Sequence, residues 1–291
     1  ITARDQYSNV IPGIAAANIV VAALPATNNT ITQPALATDA NGQTQATVAS
    51  TNTDPRTISV TINATPITQT QALTVNAATP VTMSFTTQPS ATATAGVNLA
   101  VQPVVTLYDT YSNICTNSSL GVTLAAYQTD GTTPATGTLN GTLSVSANAG
   151  VANTFAGINY SKAESIVLKA TAAGTTPLNS NTVVVATNTP TKLVVLTQPS
   201  ATATAGVNFA QQPVFGVQDD YGNTITSDNA TQITLARGAT GTAALQGATL
   251  TLPVINGVAT FSGLSYNKAE TMNILATDYS HGLLKTTDAD F

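Results

Sequence analysis

Tryptophan is absent from this 291-residue chain, which also has a single cysteine, Cys115, and a single histidine, His281. One cysteine excludes an internal disulfide framework. A zinc site needs three or four His, Cys or carboxylate ligands, and a hydrolytic triad needs a base oriented by a third group. Neither can be assembled from His281, in a Tyr-Ser-His-Gly turn, and Cys115. Charged residues make up 7% of the chain, where ~25% is usual for soluble domains. The eight Lys and Arg are scattered singly, so no basic stripe forms for phosphate, and nucleic acid is not an expected partner. No apolar run reaches the ~18–20 residues of a membrane-spanning helix, and glycine-rich phosphate loops are missing. The thirteen acidic residues give no reason to propose paired carboxylates for glycoside chemistry. Without Trp, and with most of the eight Tyr in repeated motifs, aromatic platforms for sugars are also not expected. These absences point away from an enzyme and from any resident cofactor.

What is present is a β composition. Thr and Ser supply 73 residues, and together with Val and Ile they favour pleated, half-buried strands over helices. Twelve residues at 87–98 (TQPSATATAGVN) return unchanged at 197–208. The copying extends further. Pro103-Val-Val-Thr-Leu-Tyr-Asp109 matches Pro213-Val-Phe-Gly-Val-Gln-Asp219, and the Gly150 block (GVANTFAGINYSKAE) matches the Gly257 block (GVATFSGLSYNKAE). Residues 125–149 have no close counterpart in 236–256, so variation concentrates there, where partner contacts usually lie. Three units follow: residues 1–80, 81–190 and 191–291.

The first unit is cut short. Residues 1–9 align with 105–113, so everything equivalent to 81–104 is missing, including the leading strand carried by 83–87 and 193–197 in the other units. Two explanations compete: an arbitrary start within a longer array, or a strand supplied by another chain's extended segment, which repairs an open edge with backbone hydrogen bonds.

Alternation predicts strands at matched places. Ile1/Ala3, Val105/Leu107 and Phe215/Val217 fall on one face of the same strand, and Ile166/Leu168/Ala170 and Met272/Ile274/Ala276 on one face of a later one. Asn-Gly pairs at 41–42, 140–141 and 256–257 mark tight turns. About seven short strands per ~100 residues is the pattern of a Greek-key sandwich. Pro80 and Pro190 close two units with almost no linker, and short Pro-containing joints keep neighbours semi-rigid and extended. The fold class is therefore all-β, a tandem array of immunoglobulin-like (Ig-like) Greek-key sandwiches.

The TQPSATATAG strand, the D-x-Y-x-N turn and the GVATFSGLSYNKAE block resemble the bacterial immunoglobulin-like repeats of large surface proteins. Residues 39–47 (DANGQTQAT) resemble the turn-and-strand signature of invasin/intimin-type modules. The resemblance covers nearly the whole chain and implies stalks, adhesins or surface-layer building blocks, located outside the cell. The chain departs from it in its few charges and in Lys-Ala-Glu where Lys-Ala-Gly is more familiar.

The D-x-Y-x-N turn occurs three times, as Asp5/Tyr7/Asn9, Asp109/Tyr111/Asn113 and Asp219/Tyr221/Asn223. Asp and Asn side chains bond turn N–H groups while the Tyr ring covers the end of the core. The sharper reading is calcium, which takes 6–8 oxygen ligands. Asp109 and Asn113, or Asp219, Asp220 and Asn223, would have to be joined by groups from a neighbouring unit or chain. Lys162/Glu164 and Lys268/Glu270 sit two apart and read as weak solvated pairs, worth ~0–1 kcal/mol. Cys115 aligns with Ile225 and reads as a small buried apolar residue. The sequons at Asn28, Asn63, Asn117, Asn140, Asn159 and Asn229 number about what chance gives.

Sandwich edges are normally protected by Lys, bulges or covering loops, and this sequence shows no such device. Neutral Thr- and Ala-covered surfaces repel one another weakly. The expected role is a structural, self-assembling cell-surface subunit of a layer, sheath or filament, with other copies of itself as partners, including strand donation into residues 1–80. The alternative is the spacer stalk of a large adhesin.

Overall fold

The computed structural model describes residues 1–278 and the backbone of the strand Lys285–Thr287; His281 lies outside the described residues. Apart from a three-residue 3-10 turn at Ala16–Asn18, every regular element in them is a strand.

Two sheets face each other in the second unit. One contains Thr82–Thr87, Val104–Tyr108 and Val151–Ala152; the other runs Ser144–Ser146, Gly121–Gln128, Ser165–Ala172, Val183–Ala186, Thr92–Thr94. The alternation that predicts them also fills the space between them. Val105 and Leu107 point in from the first sheet, Val122, Leu124, Ile166, Leu168 and Ala170 from the second, all at 2% exposure or less. Each large aliphatic side chain buried this way contributes roughly 1.5–3 kcal/mol. Cys115 belongs to this core and is fully buried, as its counterpart Ile225 nearly is. Burial, and after it the charge of Asp109, pushes the Cys115 thiol up, which keeps it inert.

A second core gathers the third unit around Phe215 and Phe261, whose rings meet edge to face at 6.0 Å. Its sheets repeat the design, with Lys192–Thr197, Val214–Gln218 and Val258–Thr260 in one and Thr251–Pro253, Gln232–Arg237, Ile274–Asp278 and Lys285–Thr287 in the other. Both leading strands shift register at the same place, between Phe85 and Thr87 and between Val195 and Thr197. Such a bulge bends a strand, here at its entry into the twelve-residue repeat.

The first unit is thinner. Strand Ile19–Leu24 pairs with Arg56–Ile62 and buries Ile19, Val21 and Ala23. Arg56 is 1% exposed, its Nε donating to Asn29 Oδ1 at 2.9 Å and one terminal nitrogen to the Asp54 carbonyl at 3.1 Å. A buried charge is tolerable only with such partners, and the sequence did not single it out. Residues 1–4, expected as a strand, form only isolated bridges, Thr2 with Gln43 and Arg4 with Val10. In the other units the leading strand lies alongside this segment and completes the ladder.

Edge protection is present after all, in neutral form. The Gln33 amide accepts from Val21 N–H at 2.8 Å and donates to Val21 C=O at 2.8 Å, satisfying both polar groups of an edge-strand residue without a charge. Gln102 accepts from Ile158 N–H and donates to Leu99 C=O, and Gln212 does the same for Leu264 and Phe209, satisfying backbone groups outside the strands.

Candidate functional site

The three D-x-Y-x-N turns share one construction. The Asp N–H donates to the Asn carbonyl at 2.9–3.0 Å, and the residue before Asn takes the left-handed conformation: Ser8 (φ 71), Ser112 (φ 66) or Gly222 (φ 81). One carboxylate oxygen, Oδ1, accepts the N–H groups two and four residues on, in Asp5, Asp109 and Asp219 alike. The other accepts the Asn amide at 2.9–3.0 Å.

In the second and third units that oxygen also accepts from the joint. Ala78 N–H reaches Asp109 Oδ2 at 3.0 Å, and Asn188 N–H reaches Asp219 Oδ2 at 2.9 Å. The Asn amides then reach back into the preceding unit. Asn113 Nδ2 donates to the Thr51 carbonyl at 2.9 Å. Asn223 Nδ2 donates to the Ser161 carbonyl at 3.0 Å, and Asn223 Oδ1 accepts from Ala163 N–H at 3.0 Å. The motif is thus a clamp between successive units. Burial works against the ionised forms of Asp109 and Asp219, but the hydrogen bonds from their Asn partners and from backbone N–H groups outweigh it and hold both carboxyls below the usual range.

The tyrosines do not cover the core ends, contrary to the sequence reading. Tyr7, Tyr111 and Tyr221 are 76%, 57% and 48% exposed, because the turn projects them outward. Tyr221 instead lies against Gly96 of the preceding unit, whose missing Cβ would fall 1.9–2.0 Å from the phenol ring.

Of the calcium candidates, the turns bring Asp109 to Asn113 and Asp219 to Asn223, in both cases through N–H donors that occupy the carboxylate oxygens. Asp220 lies exposed, its backbone carbonyl accepting from Lys192 Nζ at 2.7 Å. Among the described residues no group of three or more His, Cys, Asp and Glu is placed to hold a metal ion. Since a ligand stabilises only the state it binds, adding millimolar calcium and then excess chelator is expected to move the melting temperature by less than ~1 °C. A calcium-dependent rise of several degrees would place a cation in these turns.

The Lys-x-Glu pairs are more than solvated charges. Glu270 accepts from the hydroxyl of buried Tyr266 at 2.6 Å and from Thr242 N–H at 2.6 Å, and pairs with Lys268 at 2.9 Å. Glu164 likewise accepts from the Tyr160 hydroxyl and from Thr136. Burial, then the bond to Glu164, pushes the Tyr160 phenol well above its ordinary value. Hydrogen bonds from Tyr266 and Lys268 hold the Glu270 carboxyl far below its own. A buried hydroxyl needs a partner, and the glutamate supplies it. The third members, Thr136 and Thr242, fall in segments that share little sequence. Their signal was the spacing alone: 24 residues separate Thr136 from Tyr160 and Thr242 from Tyr266.

No family model matches the chain, and no curated protein does. Solved structures do. The Escherichia coli adhesin FdeC matches over 99% of this chain and 89% of its own, at 17% identity and a TM-score of 0.46. Yersinia pseudotuberculosis InvD matches over 100% and 90%, at 16% identity and 0.41. Invasin, a bacterial integrin-binding protein, matches over 100% and 55%, at 14% and 0.34. The all-β architecture of paired sheets is carried by the chain's own strands.

Proposed function

We propose that the chain is a non-catalytic structural array at the bacterial cell surface, a stalk whose Ig-like units are held in line by clamped joints. The observation that carries this reading is the clamp. The same Asp that shapes its own turn caps the backbone of the joint, and its Asn partner bonds the preceding unit. Inter-domain interfaces are mobile by default. A joint whose backbone N–H groups bond the buried carboxylates of Asp109 and Asp219, charge-assisted contacts of the stronger kind, resists bending and fixes the distance between the two ends. Scattering and sedimentation of the 291-residue chain are expected to report an elongated particle, with a frictional ratio well above that of a compact sphere of equal mass. A compact particle would overturn the stalk.

A second reading is assembly of such stalks into a layer, sheath or filament. It is favoured by the 7% charge content and by apolar side chains on outer faces, among them Val20 and Leu24 on one edge strand and Ile255. It predicts association that grows with concentration and is insensitive to salt, since few charges take part. A strictly monomeric chain at high concentration would sink it.

A further inference from the structure

The one parallel strand pair among the described residues lies in the second unit, where its last strand, Val183–Ala186, runs beside Thr92–Thr94. Val184 stands opposite Thr92, Val185 opposite Ala93 and Ala186 opposite Thr94. Val184 N–H donates to the Ala91 carbonyl at 2.9 Å, and Ala95 N–H to the Ala186 carbonyl at 2.9 Å. Side chains extend the contact at both ends. Gln88 Oε1 accepts from Asn181 N–H at 2.9 Å, and Asn188 Nδ2 donates to the Ala95 carbonyl at 3.0 Å. Residues 88–95 are thereby tied along their length to residues 181–188. Ala95, Val183 and Val185 seal one side of the seam at 4% exposure or less, and a dry flank strengthens the bonds beside it.

Direction decides what this pairing does under load. The chain enters the seam at Gln88, coming from the first unit, and leaves it at Asn188 toward the third. Because the two strands are parallel, a pull on both neighbours draws them in opposite directions along a common axis. Bonds in a parallel ladder are evenly spaced, so sliding stretches all of them together. A pull applied to both strands at the same end would instead open the bonds one after another. Asn188 also joins the seam to the next unit, since its N–H donates to Asp219 Oδ2 at 2.9 Å.

We propose that the second unit is a load-bearing module, and that the parallel seam is a shear clamp that keeps it folded while tension runs through the array. This function rests on the stalk reading for the source of the tension. It also goes further, because lining up the units needs only the joints, whereas resisting unfolding under load needs the seam. Forced unfolding is governed by the unfolding rate and not by equilibrium stability. The direction of pull therefore decides how much load the unit bears.

Two double-cysteine variants of the 291-residue chain test this by single-molecule force spectroscopy. A91C/T189C places the handles at opposite ends of the seam, and V97C/T189C places both at the same end. All three positions are exposed, and Cys115 is buried, so the handles attach at the chosen sites. The rupture force of A91C/T189C is expected to exceed that of V97C/T189C at least ~2-fold, since only the first arrangement loads the evenly spaced bonds together. Equal forces, or a larger force for V97C/T189C, would overturn the proposal. Either of those results would leave an elongated particle elongated, and a compact particle in scattering would leave the force ratio standing.

Discussion

Replacing Asp219 with alanine is expected to destabilise the third unit by about 2–4 kcal/mol, the range for removing the shared acceptor of several buried donors. Asp219 is fully buried and accepts from Tyr221 N–H, Asn223 N–H, the Asn223 amide and Asn188 N–H, all at 2.9 Å. Alanine leaves these groups without an acceptor in a place water does not reach. Asp5 makes the same turn in an exposed setting, where water can replace the lost bonds. D5A should therefore cost less than ~1 kcal/mol, and urea denaturation of the two variants checks the contrast. The sign with pH follows from the lowered Asp219 carboxyl. Its contribution is complete above the ordinary carboxylate value of about 4 and is lost as pH falls through the lower folded value. The gap between the wild type and D219A should therefore shrink in acid. A gap unchanged down to about pH 2 would show that ionisation of Asp219 contributes nothing.

That prediction depends on a role only partly legible in the sequence. The D-x-Y-x-N repeat announced a turn, because Asp and Asn bond local backbone whatever surrounds them. What Asp219 does for the joint depends on Asn188, 31 residues away, and on Ser161 and Ala163 in the preceding unit. Local pattern carries no record of such contacts. The tyrosines misled for the same reason: a large ring is a good core residue on average, but the turn aims these rings outward. Strands and core positions were legible because alternation is itself the physical cause of the two faces. Val105/Leu107, Phe215/Val217 and Ile166/Leu168/Ala170 all lie inside as expected. Edge protection was missed because neither device that supplies it shows in local sequence: Gln33 acts with a neutral amide, and the bulges expected to be absent lie in the leading edge strands, between Phe85 and Thr87 and between Val195 and Thr197.

The duplicated segments also allow one substitution to be compared at two sites of identical local sequence. Gly96 (φ +73) and Gly206 (φ +78) are both left-handed, so alanine at either position should cost about 1–2 kcal/mol in backbone strain. Around Gly206 nothing lies within 4 Å of a new Cβ, whereas at Gly96 the Tyr221 ring occupies the space. The far end of a tyrosine can swing aside, so the additional effect of G96A falls on the joint between the second and third units. G96A and G206A are expected to differ by less than ~0.5 kcal/mol in stability, since surface rearrangements are worth little. Only G96A should broaden the distance distribution between spin labels placed in those two units. Adding Y221A should remove the clash, and with it any difference between G96A and G206A in that distribution. If G206A broadens the distances as much as G96A, Tyr221 is not what sets the joint, and its rigidity must rest on the Asp219 and Asn223 bonds alone.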